Sequence, residues 1–331
     1  MSHYSFFIRG DTFETMFYDF KNLNNVSLYS NNFNIKSKLL NLLCKIHNSR
    51  RINVKIPLPF RGIWNKYAVV NNVSYDETHY IVFFNSTVVQ HPKKYLRALA
   101  NKKNTKLILI CLDTMQDKLL GVLDYIKSIN FHAVYSFDPK DIAQYHFLPI
   151  FNYYSKLPIP NGPITNDLFF IGGNKGRMKA LDSLYSKAVE YNVRTKYFLF
   201  APKGESMPAN KDITILSQRM DYEESLNHLS SSQCILELLS GDQTGQTLRY
   251  YEAVCYNKKL LTNNKNIVNL PYYDERYMQY FSSVEDIDFE WIKRPIIVDY
   301  HYKNDFSPIK LLEQIEKDCN DCIYDEQQEI G

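Results

Sequence analysis

Two segments combine glycine, cations and a helix start in the way an anion site requires. The run CILELLSGDQTGQTLRYYEAVCYNKKLLTNN, residues 234–264, reads as an apolar strand, a Gly- and Thr-rich turn, a helix and a second apolar strand. Backbone N–H groups at a helix start lack intrahelical partners and sit at the positive end of the dipole, so the turn 241–247 is suited to a diphosphate. Arg249 adds a cation there, and Glu252 can accept hydrogen bonds from a ribose. The second segment, IGGNKGRMKALDSLY at 171–185, also begins where a strand ends. Gly172, Gly173 and Gly176 permit a tight turn, while Lys175 and Arg177 bring charge to it. Neither segment is a standard motif: GGNKGR lacks the GxGxxG spacing, and no GxxxxGK[ST] occurs in the chain. Each also has a plain structural reading. GGNKGR serves as an ordinary strand-to-helix turn, Glu252 is favoured near a helix start by the dipole alone, and Arg249 fits a surface ion pair.

Short apolar strands alternating with amphipathic helices position these segments, the pattern of parallel sheets covered on both faces. In the first half strands are expected near 4–8, 26–29, 80–85, 106–112 and 133–137, with helices near 35–47, 92–101 and 116–129. The second half restarts with strands near 167–171, 196–200, 213–217, 234–238 and 259–262, and helices near 176–191, 222–229 and 247–256. Between them LPIPNGPIT, 157–165, carries three prolines and a glycine and reads as a linker. The expected fold is α/β, two Rossmann-like doubly wound domains at 1–156 and 166–300 facing a central cleft, followed by a C-terminal helix and polar tail at 301–331.

On SFDPKDIAQYHFLPIFNYY (136–154), FFIGGNKGRMKAL (169–181) and GQTLRYYEAVCYNKKLLTNN (245–264), the chain resembles GT-B glycosyltransferases, especially bacterial enzymes that build lipopolysaccharide or capsule. The resemblance implies that Gly173, Lys175 and Arg177 border the diphosphate of a nucleotide-sugar donor and that Glu252 binds its ribose. It implies that Gly245, Gln246, Thr247 and Leu248 offer helix-start amides to the phosphates, with Arg249 beside them and Tyr222 near the base. The donor is then a co-substrate, and no cofactor or metal is implied, in keeping with the lack of a DxD flanked by apolar residues. A saccharide or lipid-linked oligosaccharide would be the acceptor. A sugar-nucleotide epimerase of the same architecture and a non-catalytic nucleotide-sugar binding protein are the competing readings.

An inverting transfer needs a general base near the acceptor hydroxyl. Asp11 follows the first strand directly and is the first candidate, with His91 and Asp113 as alternatives after later strands. Helix capping accounts for either aspartate, and a loop position before Pro92 accounts for His91. Asp138 in SFDPKD would stand at the cleft rim or cap a Pro-started helix.

The 331 residues, 45% hydrophobic and 23% charged, suit about two globular domains, and a net charge of +3 gives no case for nucleic acid. No apolar run approaches the ~20 residues of a membrane span, and MSHYSFFIRGD does not read as a secretory signal. A cytoplasmic location is expected. A lipid-linked acceptor would add peripheral contact with the inner face of the membrane through Arg50-Arg51, Lys93-Lys94 and Lys102-Lys103, although solvated helix faces explain those groups as well. Cys44, Cys111, Cys234 and Cys255 lie in apolar segments and read as buried free thiols. Cys319 and Cys322 have CxxC spacing without a second ligand pair, which suggests a solvated helix end, and the acidic tail beyond them reads as disordered. Most of the 26 tyrosines are expected at half-buried positions.

Overall fold

The computed structural model describes residues 2–9, 11–30, 32–53, 56, 58–69, 77–115, 120–160, 162–201, 208–239 and 245–328. It divides into two compact units, Met1–Ser155 with Ser307–Gly331, and Lys156–Phe306.

In the first unit the chain runs β1 (His3–Phe7), α1 (Asp11–Met16), β2 (Val26–Tyr29), α2 (Lys38–His47), α3 (Arg50–Asn53), β3 (His79–Phe84) and α4 (Asn85–Val88). It continues with α5 (Lys93–Ala100), β4 (Thr105–Cys111), α6 (Leu120–Ser128), β5 (Ala133–Ser136), α7 (Pro139–Tyr145) and β6 (Leu148–Pro149). The strands form one parallel sheet in the order β2-β1-β3-β4-β5-β6. Strand β3 is buried at every residue and β4 nearly so, as expected of central strands covered on both faces. Ile81, Phe83, Leu107 and Leu109 pack with Leu96, Leu99 and Val122 from the flanking helices, each fully buried side chain contributing about 1.5–3 kcal/mol.

The second unit holds β7 (Asn166–Gly173), α8 (Met178–Glu190), β8 (Thr195–Phe200), β9 (Thr214–Leu216), α9 (Tyr222–Ser230) and β10 (Ser232–Glu237). After these come α10 (Leu248–Cys255), β11 (Lys259–Thr262), β12 (Met278–Tyr280) and α11 (Phe289–Lys293). Its sheet is also parallel, ordered β12-β11-β10-β7-β8-β9. Counted from β7, that is the 3-2-1-4-5-6 order of dinucleotide-binding sheets, with its reversal between β7 and β10. Helix α8 buries Met178, Leu181, Leu184 and Ala188 at helical spacing against Leu168, Phe170 and Leu236. The Lys258-Lys259 pair closes two helix ends. Lys258 Nζ donates to the carbonyls of Ser230 and Ser232, and buried Lys259 Nζ to those of Trp291, Ile292 and Arg294.

The α/β class and the two doubly wound sheets match the sequence expectation, while β6 and β12 are short strands it did not include. Helix α12 (Pro308–Gln328) returns to the first unit and buries Leu311, Ile315 and Cys319. Ser307 Oγ donates to Asp19, Tyr135 Oη to Asp318 and Lys106 Nζ to the Cys319 carbonyl. Cys319 is thus an interior residue rather than a solvated end, and the backbone stays helical beyond Cys322, because one apolar face of the segment finds a partner. Cys44, Cys111, Cys234 and Cys255 are buried free thiols, as expected. Among the described residues no helix is long and apolar enough to cross a membrane.

Candidate functional site

Ligands of open parallel sheets bind outside the carboxyl ends of the strands at the reversal of strand order. In the second unit those ends are Gly173 of β7 and Glu237 of β10. A Cβ on Gly172 would meet the Phe170 ring at 2.9 Å, so the strand can only finish there as glycine or with the ring displaced. The chain then turns through Lys175 and Gly176, both at positive φ (40° and 82°), and the Arg177 amide donates to the Asn174 carbonyl at 2.6 Å. Lys175 stands exposed. Arg177 folds back instead, its Nη1 donating to the Gly173 carbonyl at 2.9 Å while Nε is buried with no hydrogen-bond acceptor among the described residues. Burial lowers the pKa of this guanidinium, and the nearby Glu237 carboxylate partly offsets that.

Glu237, which the sequence reading did not single out, is a buried carboxylate closing an apolar strand. Thr247 Oγ1 donates to its Oε1 at 2.6 Å, the Thr247 amide to the same atom at 3.2 Å, and Thr262 Oγ1 to Oε2 at 2.6 Å. Burial raises its pKa against the pull of these bonds and of Arg249. Its signal in the sequence was a lone acid inside CILELL, a position where an unpaired charge is costly.

Thr247 also N-caps α10, its hydroxyl accepting from the Arg249 amide at 3.2 Å. One turn on, Glu252 has no exposed surface; Tyr222, at the start of α9, donates to its Oε1 at 2.8 Å. Arg249 Nη1 and Glu252 Oε2 form an ion pair at 2.5 Å whose angle makes no hydrogen bond, and among the described residues neither atom has another hydrogen-bond partner. Burial raises the Glu252 pKa, opposed first by Arg249 and then by Tyr222. Arg177, Arg249, Glu237, Glu252, Thr247 and Tyr222 therefore belong to one polar cluster at the strand-order reversal.

One expected role does not fit. The Thr247 amide is engaged by Glu237 and is not open to a phosphate. The Gln246 side chain accepts from Tyr251 Oη, and the Gly245 carbonyl from Asn264 Nδ2, while Leu248 begins the helix half-buried. Residues 241–244 of the expected diphosphate turn lie outside the described residues.

In the first unit, His91 is not a proton acceptor at the sheet edge. The ring is fully buried between Phe7, Phe33, Phe83 and Tyr95, with neither nitrogen hydrogen-bonded among the described residues. Burial, helped by Arg61, pushes its pKa down to about 3. Asp113 is exposed just past β4, one carboxylate oxygen accepting from Asn85 Nδ2 at 2.9 Å. Asp11 is the first residue of α1, and its side chain lies outside the described residues. Asp138 caps α7 ahead of Pro139. Among the described residues no three His, Cys, Asp or Glu side chains group closely enough to hold a metal ion.

No known protein family matches the chain, and no curated protein does. Among solved structures it is similar to a glycosylation-associated protein (Gap123) complex from Streptococcus agalactiae, at 12% identity and a TM-score of 0.40 over 77% of this chain. The chain spans a little over half, 55%, of that one. It is also similar to the glycotransferase of kitacinnamycin, at 9% identity and a TM-score of 0.42 over 88% of each chain. Function is therefore read from the site itself.

Proposed function

We propose that the second unit binds a nucleotide-sugar and that the protein is a glycosyltransferase moving that sugar to a saccharide or lipid-linked saccharide acceptor, in the manner of surface-polysaccharide synthesis. The supporting observation is a buried polar cluster at the strand-order reversal, in which Arg177 Nε has no hydrogen bond among the described residues and Arg249 Nη1 and Glu252 Oε2 have only their mutual ion pair. A buried polar atom left unsatisfied costs about 1–3 kcal/mol, so a ligand that satisfies Arg177 Nε is favoured. Two guanidinium donors match a diphosphate, and a lone carboxylate oxygen matches a ribose hydroxyl. The misaligned Arg249–Glu252 contact is suited to splitting, the cation turning to phosphate as the carboxylate takes the hydroxyl.

In this reading the acceptor hydroxyl attacks the anomeric carbon while the bond to the nucleoside diphosphate breaks. Lys175 and the two arginines receive the charge developing on the departing phosphate, and the partly buried arginines need little reorientation to do so. No metal is required by this set. Asp113 and Asp11 are the proposed bases for an inverting outcome.

Incubation with a panel of nucleotide-sugars, following nucleoside diphosphate release with and without saccharide acceptors, tests the proposal. Acceptor-dependent release is expected. Release of free sugar epimer, or binding without turnover under every acceptor, would move the protein to one of the competing classes.

A further inference from the structure

Helix α2 is built inside out. Leu39, Leu42, Leu43 and Ile46 recur at i, i+3, i+4 and i+7, the stripe that a surface helix normally turns to its core. Here they face outward, with Leu39 66% and Leu42 55% exposed, while Cys44 and the C-capping Asn48 are buried. The apolar surface continues past the helix. Trp64 Nε1 donates to His47 Nδ1 and His47 Nε2 to the Pro59 carbonyl, which holds Phe60 (82% exposed) and Ile63 beside the end of α2. Scattered exposed leucines are ordinary, but a contiguous patch on one face marks a docking surface.

Charge selects the partner. From residue 20 to residue 75 the chain carries nine Lys and Arg and no Asp or Glu, although its net charge is only +3. Lys36, Lys38, Lys45 and Lys66 are exposed around the stripe. Two copies meeting symmetrically through this face would bring like charges together, which disfavours self-association. An outward apolar stripe flanked by cations, in a segment without acids, is the pattern of a helix lying in an anionic bilayer interface. We infer that α2 and the Phe60–Ile63 turn dock the first unit on an anionic membrane surface, the leucines entering the headgroup boundary and the lysines meeting lipid phosphates. The inference stands on the first unit alone and does not depend on the donor site.

Sedimentation of the full chain with vesicles tests it, using phosphatidylcholine alone and phosphatidylcholine mixed with phosphatidylglycerol. Binding to the mixed vesicles is expected, weakening as salt is raised. Each surface cation multiplies such binding about five-fold, so Lys38→Ala with Lys45→Ala should lose about 25-fold. Leu39→Gln with Leu43→Gln, both solvent-facing, should reduce binding to either vesicle with the circular dichroism spectrum unchanged. Lys179→Ala on α8 of the second unit should change nothing. Sedimentation indifferent to phosphatidylglycerol, or unaffected by the leucine substitutions, would overturn the inference. So would a lipid-free dimer in analytical ultracentrifugation that Leu39→Gln abolishes, since the stripe would then belong to a second copy.

Discussion

Glu252 and His91 show how burial separates residues that look alike in a sequence. Glu252 keeps one oxygen on Tyr222 and leaves the other without a hydrogen bond beside Arg249. Glu252→Gln retains an acceptor for Tyr222 and cannot offer a second carboxylate oxygen to a ribose. Calorimetry with a nucleoside diphosphate should show affinity about ten-fold weaker, a loss of about 1.4 kcal/mol, with the melting temperature little changed. Unchanged affinity would remove Glu252 from the donor site. His91 has the opposite fate, an imidazole held neutral in an aromatic core with its pKa near about 3 instead of 6.5. An unfolded chain takes up that proton below pH 6.5 and the folded one does not, so the stability is complete above 6.5 and declines as pH falls toward 3. By pH 5 the loss is about 2 kcal/mol, and His91→Phe should abolish it in urea titrations at pH 7 and pH 5. Both residues were visible in the sequence, since a helix start and a strand end are local features. Their burial was not, because it depends on α9 for Glu252 and on Phe33 and Tyr95 for His91.

The turn between β7 and α8 was legible as an element from its glycines, and its strain was not. Lys175 has φ 40°, a left-handed conformation disfavoured for residues with a Cβ, and it precedes Gly176 at 82°. Such strain at a non-glycine position suggests that the side chain is kept for its charge. Lys175→Gly should therefore stabilise the protein by about 0.5–1 kcal/mol in urea while weakening nucleoside diphosphate binding several-fold. A variant that gains stability and binds equally well would leave the lysine as a strained bystander. Glycine at 172 leaves room for the Phe170 ring, which would lie 2.9 Å from a Cβ there, a contact within one strand that no periodicity reveals. Helix α2 is the clearest divergence between pattern and packing. Its apolar spacing reads as a core-facing helix, but the buried side is the one carrying Cys44, and the leucines meet solvent.

Across the whole molecule, the first unit is discontinuous in sequence and the second is not. Residues 156–306 expressed alone should fold and retain nucleoside diphosphate binding. A chain ending at Phe306 loses the α12 contacts of Leu311 and Ile315 with the first unit, about 1.5–3 kcal/mol for each buried side chain, besides the Tyr135–Asp318 and Ser307–Asp19 hydrogen bonds. Calorimetry should then show one transition shifted down by several degrees and the other in place; a common shift would contradict independent units. The sequence by itself determined the alternation of strands and helices, the positions of most of them and the glycine-bearing turn after β7, because periodicity and turn chemistry act over neighbouring residues. Only the tertiary structure decided that β7 and β10 lie side by side, which brings Gly173 and Arg177 to Glu237 although they are distant in sequence. Strand order depends on pairing between distant segments. It likewise turned the α2 stripe outward and drew Glu237 and Glu252 out of solvent, since exposure is a property of what else packs nearby.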